Sequence, residues 1–209
     1  MVRRVAFFSS KEEIESYFNI KTRKESYFEP HYNLARGQQL PVLSGVDGGA
    51  EIERMRWGKL EKDRTVNTEV REEDLPALLQ KEQRQKCILP LSGFYIWKRD
   101  QEESHPFFVR LLNSPIMSIA GICHNSEPDY VSIVTTEANP LIQPMNDRMP
   151  LFMKQGSALQ WFEPEMDIDQ LLKQSKNQFN LTDLSVLKVS KKVNDPTNNS
   201  PDLIQPIPK

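Results

Sequence analysis

The sequence predicts an α+β fold in which short strands curve or close into one β-rich core, with a few small helices beside it. Three observations carry that reading. Short β-prone apolar segments recur through the middle of the chain, separated by polar turns. Helical signals are confined to brief stretches. The composition, 38% hydrophobic and 27% charged over 209 residues with a mean hydropathy of -0.58, suits one well-cored soluble domain spanning 1–209 and not a disordered chain.

The elements follow in order. Arg3 to Phe8 reads as an opening strand that stops at Ser9-Ser10. Ser10 with Glu13 three residues later forms a capping box, which predicts a two-turn helix over Lys11–Phe18 burying Ile14, Tyr17 and Phe18. Tyr32 to Leu43 is an extended path punctuated by Gly37 and Pro41, and Ser44 to Gly49 reads as a loop. Alternation over Glu51–Trp57 predicts a half-buried strand with Ile52, Met55 and Trp57 inward, ended or bent by Gly58. Lys59 to Arg64 is a solvated charged run, and Val66–Val70 a short strand. Leu75, Leu78 and Leu79 mark the buried side of a helix from about Glu72 to Gln83, with Pro76 tolerated in its first turn.

Cys87 to Trp97 is apolar almost throughout and predicts a buried strand, a kink and a second strand, interrupted at Pro90 and Gly93. Pro106–Leu112, Ile116–Ile122 and Tyr130–Val134 continue the pattern, and strands so spaced imply a closed or strongly curved sheet. Gln155–Phe162 and Ile168–Gln174 read as small helices, Leu184–Val189 as a last strand, and 197–209 as a proline-punctuated tail.

Charge and cysteine usage bound the function. With 27 basic and 29 acidic side chains the net charge is -2, so the whole-molecule field does not point to a nucleic acid and any anion site is local. Cys87 and Cys123, each in apolar surroundings, read as buried thiols in a reducing, cytoplasmic setting, with neither metal nor cofactor expected. No apolar run approaches the roughly 20 residues a membrane helix requires. The polar turn from Val134 to Pro150, with Thr135-Thr136, Asn139-Pro140 and Arg148 between Asp147 and Met149-Pro150, is the candidate functional stretch. His31, His105 and His124 carry no motif.

Four stretches together resemble the SOS-response-associated peptidase (SRAP) family of abasic-site processing proteins. They are Tyr32-Asn-Leu-Ala with Gly37-Gln38, Met55-Arg-Trp-Gly58, Cys87-Ile-Leu-Pro-Leu-Ser-Gly-Phe-Tyr-Ile-Trp97 and Asp147-Arg-Met-Pro150. Ala120-Gly121 lies between the last two, and Val193-Asn194 follows near the end. The resemblance implies a single α+β domain around a barrel-like, mostly antiparallel β core, with a cleft for single-stranded DNA. It also implies a cysteine, exposed once the initiator methionine is removed, that captures an abasic aldehyde as a thiazolidine. An asparagine, a glutamate and a histidine surround the reaction, supplying polar contacts and proton transfer to a nucleophilic thiolate.

Carried over position by position, the resemblance breaks at the chemistry. The family cysteine is Val2, the glutamate of Gly-Phe-Tyr-Glu-Trp is Ile96, and the histidine before Arg-Met-Pro is Asn146, an amide that cannot titrate. Asn67 matches the family asparagine. The pattern after it reads Thr68-Glu69-Val70-Arg71, which exchanges an acid for a base and suggests a Glu69–Arg71 salt bridge of reversed polarity. Arg4, Asn67, Thr135 and Arg148 remain as candidate DNA contacts, each with an ordinary structural role as the competing reading. Three functions follow from this. The chain binds single-stranded or abasic DNA without thiazolidine crosslinking or self-cleavage, a Val2 amine retaining at most imine chemistry. Alternatively the fold is reused as a protein-interaction or regulatory module without nucleic acid. Last in rank is an enzyme using Glu69, Glu137 or Asp147 as its acid.

Overall fold

The computed structural model of the chain describes residues 2–22, 25–46, 49–60, 66–80, 84–101, 103–125, 129–162, 167–177 and 181–207. Strand β1 (Arg4–Phe7) leads into helix α1 (Lys11–Phe18). The capping box closes as the sequence requires: the Glu13 N–H donates to the Ser10 hydroxyl at 3.2 Å, and the Ser10 N–H donates to the Glu13 carboxylate at 2.8 Å. Asn19 ends the helix in the left-handed region at φ 53°. Ile14 and Phe18 are buried, and Tyr17 lies half-buried edge-on to Phe18.

A 3-10 turn, Glu25–Phe28, precedes β2 (His31–Ala35), β3 (Gln39–Val46) and β4 (Gly49–Trp57). The expected loop at Ser44–Gly49 is instead mostly strand. Ser44 pairs with Glu51 and Val46 with Gly49, because the antiparallel register of β3 and β4 continues to the turn, and residues 47–48 lie outside the described ones. Gly58, at φ 86°, turns the chain into a short ladder of β5 (Lys59–Leu60) and β6 (Val66–Asn67). Lys59 and Leu60 are therefore strand and not loop, while 61–65 lie outside the described residues. Next come β7 (Glu69–Arg71), a 3-10 turn at Glu72–Asp74 and helix α2 (Leu75–Leu79). The helix expected from about Glu72 to Gln83 is shortened. Asp74 makes no side-chain cap, only Leu75 is fully buried, and so little apolar face remains to hold further turns. Residues 81–83 are outside the described ones.

Strands β8 (Arg84–Leu91) and β9 (Gly93–Arg99) break at Ser92, and β8 runs through Pro90 unbroken. The chain continues with β10 (Ser104–Leu111), β11 (Met117–His124), β12 (Tyr130–Glu137), β13 (Arg148–Pro150) and β14 (Phe152–Met153). It ends with α3 (Gln155–Gln160), α4 (Ile168–Asn177), β15 (Leu184–Lys188) and 3-10 turns at Lys191–Asn194 and Pro201–Ile204.

Two curled sheets result. One has the order β15-β10-β9-β1-β2. In the other, β12-β4-β3-β8-β11 closes on itself through the β11–β12 pairing, with β13, β14 and β7 added along it. Pairing is antiparallel except where β12 meets β4 and β7. Closure removes the strand edges that an open sheet of this kind would expose. The main core fills the space inside and between these layers and includes Val2, Val5, Phe7, Trp57, Phe94, Ile96 and Trp161. Packing is close at Gly121, where an added Cβ would lie 2.5 Å from Leu89 Cδ1 and 2.9 Å from Cys87 Sγ.

A second, smaller core covers the other face of the β1–β9–β10 sheet. Ala6, Tyr95 and Phe108 pack there against Val189, Val193 and Leu203 of the C-terminal segment. The tail thus folds against the sheet as part of the structure. Asn33, fully buried, holds it: its amide nitrogen lies 3.2 Å from the Val193 carbonyl, 2.9 Å from that of Asp195 and 3.1 Å from that of Asn198. The Trp97 indole donates to Asn194 Oδ1 at 2.9 Å. Several of the motif residues, Asn33, Tyr95, Trp97, Val193 and Asn194, therefore act as the fastening of this segment.

Candidate functional site

The C-terminal half of β12 and the start of β13 build the candidate cleft. Leading out of the apolar run Val131–Val134, Thr135 is buried and pairs across the ladder with Pro150, and Glu137 pairs with Arg148. Between these strands Asn139 caps its own turn by accepting from the N–H groups of Leu141 and Ile142. The turn closes as the Ala138 N–H donates to the Asp147 carbonyl at 2.9 Å. Asn146, in the place of the family histidine, commits its amide to the Arg148 carbonyl at 2.6 Å. It braces the turn that presents Arg148.

Arg148 is fixed from two sides. On the inner side its Nε donates to the Thr135 hydroxyl at 3.1 Å and its Nη2 to the Thr135 carbonyl at 2.6 Å. On the outer side Nη1 and Nη2 form a fork with the Glu73 carboxylate at 3.1 and 3.0 Å. Those hydrogen bonds hold the Glu73 carboxyl below its ordinary range. The neighbouring Glu72 points the other way and accepts from the buried Thr136 hydroxyl at 2.9 Å. That contact anchors the 3-10 turn carrying both acids.

At the start of the chain, Val2 is buried and its backbone is clamped. The Val2 N–H donates to Glu69 Oε1 at 2.6 Å, while Arg36 donates to the Val2 carbonyl through Nε at 3.1 Å and Nη2 at 2.7 Å. Arg36 and Glu69 stand 3.7 Å apart as an ion pair. Glu69 therefore pairs with Arg36, and the expected Glu69–Arg71 bridge does not form among the described residues, because Arg71 is turned to solvent. Arg36, like Arg148, is thus matched by a carboxylate of its own.

Ile96 is 1% exposed and belongs to the main core with Val2 and Phe94. It occupies β9 one residue beyond Tyr95, which pairs with Arg4 of β1. A branched aliphatic side chain there supplies packing where a glutamate would supply a proton. Asn67 is exposed in β6 opposite Lys59, two residues before Glu69. Arg4 projects on the side of the small core. Its Nη1 donates to the Arg3 carbonyl at 3.0 Å and its Nη2 to the Asn194 carbonyl at 3.4 Å. The structure thus brings Thr135, Asn146 and Arg148 into one constellation and places Arg4 with the C-terminal fastening.

The other titratable groups lie elsewhere. His105 pairs with Asp100 at 2.8 Å on the surface, and His124 is buried and stacked on Tyr130 with ring centroids 4.1 Å apart. Cys87 and Cys123 are free and buried, and burial drives the Cys87 thiol upward, which keeps it an unreactive packing group. Among the described residues no group of three or more His, Cys, Asp or Glu can hold a metal ion, and no helix is long and apolar enough to cross a membrane. Arg36 and Glu73 are the site residues that sequence reasoning missed. The first sits in an Ala-Arg-Gly turn and the second in the acidic run Glu72-Glu73-Asp74, so each looks locally like a solvated charge.

A closed β core carrying a Thr–Arg–Asn turn at the end of one strand, with the Val2 backbone clamped by Glu69 and Arg36, defines a β-rich α+β protein. The sequence profile of the SOS response associated peptidase (SRAP) family matches residues 1–196, and the chain belongs to that family. It is similar to the abasic site processing protein YoqW of Bacillus subtilis, at 28% identity over 98% of this chain and 99% of that one. The abasic site processing protein YoaM of the same organism is 27% identical over 98% of this chain and 97% of its own length. A crystal structure of a protein from Bacteroides thetaiotaomicron shares the fold with a TM-score of 0.78 at 16% identity, covering 98% of this chain and 99% of that one. A phage-related protein from Bordetella bronchiseptica superposes with a TM-score of 0.71 at 18% identity, covering 90% and 94% of the two chains.

Proposed function

We propose that this chain is a DNA-damage-response member of its family. In this reading it binds single-stranded or abasic-site DNA in the cytoplasm, without forming a thiazolidine crosslink and without cleaving itself. The observation that carries the reading is the replacement of three of the four reactive groups by side chains already committed to structure. Val2 and Ile96 are inside the core, and Asn146 braces the turn. No thiol is available to close a ring, and no carboxylate or imidazole stands at the two positions where the family places them.

Binding is supported by Arg148, whose guanidinium is pre-oriented by Thr135 and whose two Nη groups form a fork of the kind that a phosphate can take. A fluorescence-anisotropy titration of a labelled single-stranded oligonucleotide, with and without an abasic site, tests it across salt concentrations. Each phosphate contact adds about 0.7 to the log-log salt slope on a single strand. Denaturing gels of the same mixtures are expected to show no heat-stable adduct. Such an adduct with the wild-type chain would sink the claim that crosslinking is lost.

A second reading, reuse of the fold as a protein-interaction module without nucleic acid, is favoured by one specific observation. Both cleft arginines are matched by internal carboxylates, Arg36 by Glu69 and Arg148 by Glu73. Salt-independent or absent oligonucleotide binding would select it.

A further inference from the structure

Of the two carboxylate–arginine pairs, Glu69–Arg36 holds the Val2 backbone, and its carboxylate is only 15% exposed. The other pair is built differently. Arg148 has 17% of its side chain exposed and Glu73 has 51%. Arg148 does not depend on Glu73 for its position, because Thr135 holds Nε and Nη2 from behind. Apart from its own backbone N–H, the Glu73 carboxylate accepts only from this fork among the described residues, and its turn is anchored by Glu72 on Thr136 instead. A post fixed on its inner side and covered on its outer side by an exposed anion has the form of a guarded oxyanion site.

We propose that Glu73 is a displaceable internal anion that occupies the phosphate-binding edge of Arg148, so that a phosphate group gains that edge only when the carboxylate swings away. The proposal rests on the reading of the cleft as a DNA site and names how that site is regulated. The two Nη groups that now donate to the two carboxylate oxygens match two oxygens of a phosphate equally well, since both anions present a pair of acceptors to the guanidinium fork. Glu73 is ionised at neutral pH as any half-exposed glutamate is, and its hydrogen bonds to Arg148 hold its carboxyl lower still. Release exposes one cation without disturbing its aim.

The test uses the full chain and three proteins: wild type, Glu73→Gln, and Glu73→Gln combined with Arg148→Met. A labelled single-stranded oligonucleotide is titrated by anisotropy at several salt concentrations, and inorganic phosphate is titrated separately by thermal shift. Removing the guard is expected to tighten oligonucleotide binding about three- to tenfold at low salt and to steepen the log-log salt slope by about 0.7, the signature of one added phosphate contact. Adding Arg148→Met is expected to cancel both changes. A merely structural role for Glu73 would move the melting temperature and leave the salt slope alone.

If wild type and Glu73→Gln bind the oligonucleotide equally, or the variant binds more weakly, the guard is overturned while the DNA reading stands. If Glu73→Gln gains affinity for inorganic phosphate and no protein binds the oligonucleotide, the guard stands and the DNA reading falls. Absence of binding to either probe by all three proteins overturns both.

Discussion

Replacing Ile96 by glutamate returns to the chain the carboxyl group that its family carries at this position, and the structure states what that costs. Ile96 is 1% exposed, on the core face of β9. Losing the buried isoleucine removes about 2–3 kcal/mol of transfer free energy. The incoming carboxyl must also stay neutral or be charged in a dry site, which lifts its folded pKa to roughly 7 from an unfolded value near 4.3. A folded pKa above the unfolded one means that stability is intact at low pH and is lost as pH rises through 4.3. The full loss is roughly 4 kcal/mol once the pH exceeds the folded value. About 1 kcal/mol of that is already gone at pH 5, so the variant should lose about 3 kcal/mol more than wild type between pH 5 and pH 8. Urea denaturation at the two pH values measures the difference. Equal destabilisation at both would refute the reasoning, because it would mean that the position opens onto water and the proton-transfer pocket is still there to be refilled.

Other outcomes follow from the same contacts. Asn33→Ala leaves three carbonyls of the C-terminal segment without their shared donor and should cost about 3 kcal/mol, a fall in melting temperature of roughly 6–12 °C. A fall under about 1 °C would deny Asn33 its fastening role. Gly93→Ala would place a Cβ 2.5 Å from both Phe108 Cζ and the Val109 carbonyl. Because one contact is backbone, we expect a loss of about 2–3 kcal/mol by urea denaturation. Burial, reinforced by Arg84 and Lys59, pushes His124 down to about 4 from an ordinary 6.5. Its folded state prefers the neutral ring, so stability is complete above pH 6.5 and declines by up to about 3 kcal/mol as pH falls toward 4. His124→Gln should flatten that window of the stability-pH curve, and an unchanged curve would exclude His124 as its cause.

What the sequence discloses divides along contact range. The capping box at Ser10 and Glu13 and the alternation over Glu51–Trp57 are written in residues within a few positions of each other, and both form as expected. The β3–β4 hairpin is harder to bound. Ser44 and Gly45 look like turn residues, yet a register maintained from Gln39 onward carries them as strand. The cleft is legible as a set of positions but not as a set of partners. Val2 meets Glu69 across 67 residues and Arg36 across 34, and Arg148 meets Glu73 across 75. No local pattern encodes such pairings, so a reading by proximity in sequence matches Glu69 to the nearer Arg71. Arg4 shows the opposite limit. It matches the family motif, and the tail that occupies its guanidinium cannot be foreseen from a proline-punctuated run.

The arrangement of the five-stranded sheet has a consequence for how the chain is made. Its second-from-edge member, β1, is synthesised first, yet one neighbour is β9 and the face it shares with Tyr95 and Phe108 is covered by residues 189–204. On the ribosome β1 must therefore wait, with one flank unpaired and one face bare, until residues 93–204 have followed it. Such long-range closure is slow, and the waiting strand is exposed to wrong partners. Clipping the nascent or finished chain before Val189 should leave a sheet that forms but stays adhesive. Solubility would then be set by residues 189–204 and not by the closed ring of strands.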